Sequence, residues 1–129
     1  MNRLVFLRSF ALACAAATLC LPSLGTGPAA AQDRAALQQA LEGLSAIGRT
    51  TAQTELRFAG VYQGAIDGRY GRGTEAALIA GAAFMRDNSR GKVVVDLTNA
   101  AEASAYVRGL AEGAHSAWLY GEGGECDGC

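Results

Sequence analysis

Little in this chain could perform acid–base or metal chemistry. His115 is the single histidine. It stands beside Ser116 with no acid placed to orient it, so the spacing gives no support to a Ser–His–Asp arrangement. A zinc site drawn from His115, Cys126 and Cys129 lacks a fourth ligand unless Asp127 or water supplies one. No two carboxylates are set aside for glycan cleavage: Asp67 and Glu75 are close in sequence, but each has a local role. Charge of one sign is not in excess either. Eleven basic residues face twelve acidic ones, which excludes a phosphate-neutralising surface and nucleic acid as the main partner. The same balance gives no basis for adhesion to a membrane surface. There is no internal repeat and no heptad run. These absences point to a non-enzymatic protein without a cofactor or metal.

Long hydrophobic runs are missing too. The apolar stretch from Phe10 to Leu24 is short of the ~20 residues that a bilayer span needs. Arg3 and Arg8 precede it, Pro22 and Gly25 break it, and Ala29-Ala30-Ala31 follows. This order predicts an export signal over residues 1–31, cleaved after Ala31, and a periplasmic or secreted product with no membrane attachment. Ala17-Thr18-Leu19 places a bulky residue beside Cys20, which counts against a lipoprotein. The remainder, 32–129, suffices for one small domain with one core. Cys14 and Cys20 leave with the leader, so Cys126 and Cys129 remain as C-x-x-C. An oxidising compartment then implies a short-loop disulfide, structural or labile. The acidic neighbours Glu122, Glu125 and Asp127 raise thiol pKa values and so disfavour redox catalysis.

Apolar periodicity predicts an all-α domain of three to four helices. Asp33 caps the first, whose apolar face is Leu37, Ala40, Leu41, Leu44 and Ile47, and Gly48 stops it. Thr50 with Gln53 reads as a capping box for a short second helix carrying Ala52, Leu56 and Ala59. Thr74 caps a third helix, with Glu75 suited to its positive end. Residues 76–85 are almost all apolar or small, so this helix is expected to be buried all round and central. Lys92 to Leu97 reads as a short extended segment. Asn99 with Glu102 caps a last helix whose face is Ala103, Val107, Leu110, Ala114 and Ala117. The resulting organisation is a leader (1–31), an N-terminal helix (32–50), a helical domain (51–120) and a Gly/Glu-rich tail (121–129) with no apolar anchor.

The most informative segment is Gly60-Val61-Tyr62-Gln63-Gly64-Ala65-Ile66-Asp67-Gly68-Arg69-Tyr70-Gly71-Arg72-Gly73-Thr74. So many glycines between two helices imply a built shape rather than a slack linker. Leu56 and Ile66 are expected to point at Leu78. Asp67 is expected to accept backbone N–H groups of its own turn, and Gly68 and Gly71 to hold angles that a Cβ would resist. Gln53, Leu56, Gly60, Tyr62, Gly64, Ile66, Asp67, Gly68, Tyr70, Gly71, Thr74, Ala77 and Leu78 stand in the spacing of the peptidoglycan-binding-like domain family, which this segment resembles over about Thr51 to Ala83. Where that family ends its central helix with Phe-Gln, this chain has Gly81-Ala82. Arg72 or Gly73 stands at a frequent Pro position, and the family's second turn is only faintly echoed by Asp96 and Thr98. The resemblance implies a small orthogonal helical bundle that binds peptidoglycan without catalysis, acting alone or recruiting an envelope protein partner. Tyr62, Asp67, Arg69, Tyr70 and Arg72 are the ligand residues it suggests. Aromatic faces suit sugars, and guanidinium groups suit the carboxylates of wall peptides. The alternatives are that the two tyrosines pack beneath the loop, that the arginines are merely solvated, and that Asp67 is structural.

Overall fold

A computed structural model of the chain describes residues 28–120. Most of the expected leader, and Cys126 and Cys129, lie outside the described residues. Among those described there are helices only: α1 (Pro28–Glu42), α2 (Ala46–Phe58), α3 (Arg72–Asn88), α4 (Ala100–Ala111) and the single turn α5 (Ser116–Leu119). None is long and apolar enough to cross a membrane.

One core joins all five. Leu37 and Leu41 of α1, Ala52 and Leu56 of α2, Leu78 and Met85 of α3, Val107 and Leu110 of α4 and Leu119 of α5 are buried together. The first helix is therefore part of the core, packed against α4 and α3, and is no separate addition.

The start of the chain differs from the sequence reading. In the unprocessed chain α1 begins at Pro28, so Asp33 lies inside the helix rather than capping it. Ser45 then begins α2 by accepting a hydrogen bond from Gly48 N (3.1 Å). That places Ile47 in the first turn of α2, 78% exposed, and Gly48 within the helix. Thr50 does not cap anything: its hydroxyl, like that of Thr51, donates back to Ile47 O (2.9 Å each). The expected boundary at residue 50 thus falls inside a helix.

Three helix ends share one device. Beyond α2, Gly60 N bonds Arg57 O (2.9 Å) and Val61 N bonds Leu56 O (3.0 Å). Beyond α3, Arg90 N bonds Asp87 O (3.1 Å) and Gly91 N bonds Arg86 O (2.8 Å), and beyond α4, Gly113 N bonds Leu110 O (3.1 Å) and Ala114 N bonds Gly109 O (2.9 Å). This pairing of outer and inner bonds is the Schellman motif, with the turning residue at positive φ: 77° at Gly60, 54° at Arg90 and 71° at Gly113. The stop at Gly113 ends the last long helix early, so Ala114 and Ala117 are exposed instead of continuing its apolar face.

α3 is also less enclosed than its composition predicts. Thr74, Ala77, Leu78, Gly81, Ala82 and Met85 are buried, while Ile79 and Phe84 are 42% and 39% exposed. Residues 92–97 form no strand, but Val93, Val95 and Leu97 pack on the core while Val94 is 64% exposed, the alternation of an extended chain. Asn99 caps α4 as expected, accepting from Ala101 N (2.9 Å) and Glu102 N (3.2 Å). Glu102 turns instead to Asp96 N (2.8 Å).

At Gly81 the α3 backbone meets two neighbours. A Cβ built there would lie 2.6 Å from the Tyr106 hydroxyl and 2.8 Å from Leu56 Cδ2. Tyr106 reaches across from α4 to donate to Leu78 O (2.8 Å). The residue pair Gly81-Ala82, a departure from the pattern that the loop resembles, is thus where α2 and α4 close on α3.

Candidate functional site

The loop between α2 and α3 (residues 59–71) is built around a buried side-chain amide. Gln53, fully buried on α2, accepts from Asp67 N (3.0 Å) and Gly68 N (2.8 Å) through Oε1. Its Nε2 lies within donor distance of Arg69 O (3.1 Å), Thr74 Oγ1 (3.2 Å) and Asp67 Oδ1 (3.3 Å). An amide suits this place because it alone offers a strong acceptor to two N–H groups and donors to oxygens on its other side. The capping box read at Thr50 and Gln53 does not form, since Gln53 faces the loop.

Thr74 belongs to the same knot. Its hydroxyl donates to Arg69 O (3.1 Å), and no side chain caps α3, whose cap residue is Gly71. Its role is therefore to tie α3 to the loop rather than to satisfy the helix's free N–H groups. Asp67 closes an Asx turn by accepting from Arg69 N (2.9 Å), as the sequence predicts. That hydrogen bond first, and the Gln53 amide second, hold its carboxyl below the ordinary carboxylate value. Gly68 has φ 68° and lies over Arg49 and Thr50 of α2, so a side chain is strained there. Gly71 is different: its φ of −152° is extended backbone open to any residue. Ile66 is partly buried against the core that contains Leu56 and Leu78.

The same turn recurs before α4. Asp96 Oδ1 accepts from Thr98 N (2.9 Å) and its hydroxyl (2.6 Å), and these bonds, the hydroxyl's foremost, lower its pKa. Asp96 and Thr98 thus repeat the local geometry of Asp67 and Arg69.

The two loop tyrosines face inward. Tyr62 is 5% exposed, and its hydroxyl donates to Ala65 O (2.5 Å). Its ring lies under Gly64, where a Cβ would meet the hydroxyl at 2.6 Å. Arg57 stacks over it at 6.0 Å and donates to Gly64 O. Tyr70 is half-buried, with its hydroxyl near Glu75 Oε2 (3.2 Å) and Arg34 O (3.3 Å). Burial, and then the Glu75 carboxylate, raise its pKa. Glu75 in turn pairs with Arg34 Nε (2.9 Å). This tie fastens α1 to the loop and to α3, a contact that spacing alone did not show.

The guanidiniums of Arg69 and Arg72 make no bond to that network, although the Arg69 charge acts on the Asp67 carboxylate. Both are exposed, and neither guanidinium has a hydrogen-bond or ion-pair partner among the described residues. Arg72 opens α3, beside the uncapped cap residue Gly71. Among the described residues there is no cavity and no cluster of metal-binding side chains, so a ligand here would lie on an open surface. His115 is remote from the loop in sequence. It packs against Tyr106, ring centres 5.7 Å apart, with its Nε2 buried and unpartnered. No protein-family model matches this chain, and neither a curated protein nor a solved structure was found to match it.

Proposed function

We propose that this chain is a secreted, non-enzymatic protein of the bacterial envelope that binds peptidoglycan, taking the carboxylates of wall peptides on Arg69 and Arg72. One observation carries the reading. Two unpaired guanidiniums, three residues apart, lie on the loop whose backbone is locked by a buried amide (Arg69) and on the uncapped helix start that it leads into (Arg72). Guanidinium groups bind carboxylates in two-pronged fashion, and free N–H groups at a helix start favour the same charge. The resemblance of residues 51–83 to a wall-binding module supplies the ligand. With Tyr62 and Tyr70 turned inward, the aromatic share of such a site falls away and the charged share remains.

Sedimentation with insoluble cell-wall sacculi tests this. Wild-type protein should pellet with the wall at low salt and be released as salt rises. Arg69→Ala with Arg72→Ala should lower the retained fraction by at least about tenfold, since even one lost charged hydrogen bond is on that scale, with the helical circular dichroism unchanged. Absence of wild-type retention at any salt would reject the reading.

A second reading, a protein-interaction module, draws on exposed aromatics elsewhere. Phe58 and Tyr120 are 67% and 46% exposed and meet edge to face at 6.3 Å. Capture of a protein partner that is lost on Phe58→Ser, together with no wall retention, would favour it.

A further inference from the structure

We infer that Gln53 is a positioning residue for ligand binding, holding Arg69 in a presenting conformation that the helices alone do not fix. This deepens the wall-binding reading and rests on it. Gln53 lies on α2, touches no solvent and cannot meet a ligand. Its five hydrogen-bond contacts nevertheless fall on Asp67, Gly68, Arg69 and Thr74. Those residues bracket the two free guanidiniums. Arg69 O is reached from both Gln53 Nε2 (3.1 Å) and the Thr74 hydroxyl (3.1 Å), and Arg69 N is held by Asp67 Oδ1 (2.9 Å), itself within reach of Gln53. The peptide groups on both sides of Arg69 Cα are thereby fixed through one amide.

The helices beneath do not need this. Leu56, Leu78 and Met85 bury their side chains independently of the amide, and the α2 end is closed by its own Gly60 and Val61 bonds. Without Gln53 the loop would stay attached but lose its single conformation. Binding then weakens because a ligand must reorder the loop first.

Gln53→Glu separates positioning from simple core filling. Its volume is nearly the same. Its carboxylate still accepts from Asp67 N and Gly68 N but cannot donate to Arg69 O, and it faces the Asp67 carboxylate. Burial and that like charge raise its pKa, so mild acid restores a donor in the original place. Retention on sacculi is read as a ratio to wild type, at matched pH and salt, with amide hydrogen exchange of the full chain measured alongside. At pH 8 the ratio should fall about tenfold, the scale of one buried group left unsatisfied. At pH 5.5 it should return to within about twofold of wild type. The protection factor of the Arg69 amide, whose acceptor Asp67 loses the Gln53 donor, should fall at pH 8 and recover in acid, while Gly68, α2 and α3 stay protected at both. Gln53→Met, which has no proton to regain, should be weak at both pH values.

Wild-type retention by Gln53→Glu at pH 8 with an unprotected Arg69 amide would overturn the inference. So would protected loop amides in Gln53→Met, or global unfolding of both variants, which would make Gln53 a core residue and nothing more. If wild type itself fails to bind sacculi, the wall reading falls, while the exchange data still decide whether Gln53 orders the loop.

Discussion

Arg90 occupies left-handed backbone, the only residue other than glycine to do so among those described, at φ 54°. The Schellman end of α3 demands that angle, and a Cβ resists it. Its exposed side chain makes no hydrogen bond or ion pair among the described residues. Arg90→Gly should therefore stabilise the protein by about 1 kcal/mol, read as a higher midpoint in urea with an unchanged slope. His115 gives a second expectation. Burial lowers its pKa below the ordinary 6.5, against a smaller opposing pull from its hydrogen bond with the Tyr106 backbone. The unfolded chain then takes up the proton first. Stability is complete above pH 6.5 and declines as pH falls below that value. Thermal unfolding between pH 7.5 and 5.5 should show this slope, and His115→Phe should flatten it while keeping a ring against Gly109. Thr74 shows the limit of reading single residues. A hydroxyl before an apolar run looks like a cap, but the position of Gln53, 21 residues earlier in the chain, turns it inward instead.

At the level of elements, a local signal predicts the structure where it stands alone. Asn99 caps α4 and Asp67 closes its turn because each needs only neighbours in sequence. The junction of α1 and α2 carried two competing signals. Ile47 continues the apolar spacing of the first helix, and Gly48 resembles its stop, but Ser45 begins a new helix one residue before Ala46. Leu44 could already satisfy the core, and Arg49 Nη1 bonds Leu44 O (2.8 Å) across the turn, so Ile47 was left to solvent. In the α3 stretch, the apolar residues outnumber the positions that its neighbours, α1 among them, cover, which leaves Ile79 and Phe84 outside. The α3–α4 contact offers a sharp test. Gly81→Ala should cost about 1–3 kcal/mol, the usual range for overpacking. Tyr106→Phe removes the hydroxyl that the new methyl would strike. In chemical denaturation the double variant should be more stable than the sum of the single effects predicts, with a coupling of at least about 0.5 kcal/mol.

For the molecule as a whole, the fold class was legible because helical periodicity and glycine punctuation are local. The candidate site was legible only in part. The sequence named Arg69 and Arg72 along with Tyr62, Asp67 and Tyr70, but could not show which would face outward. That depends on the fit of Tyr62 under Gly64 and on the tie between Tyr70, Glu75 and Arg34, which joins residues up to 41 positions apart. The result is a loop with its aromatic rings spent on packing and its two spare cations in water.

The close meeting of Gly81 and Tyr106 also bears on how such a chain could diverge. A lineage that acquires a bulky residue at 81 must first shed the phenol at 106, because the two compete for one volume between α3 and α4. Drift at those positions should therefore occur in pairs and in a fixed order. Once relatives are aligned, their joint variation would be a record of this interhelical contact written in sequence.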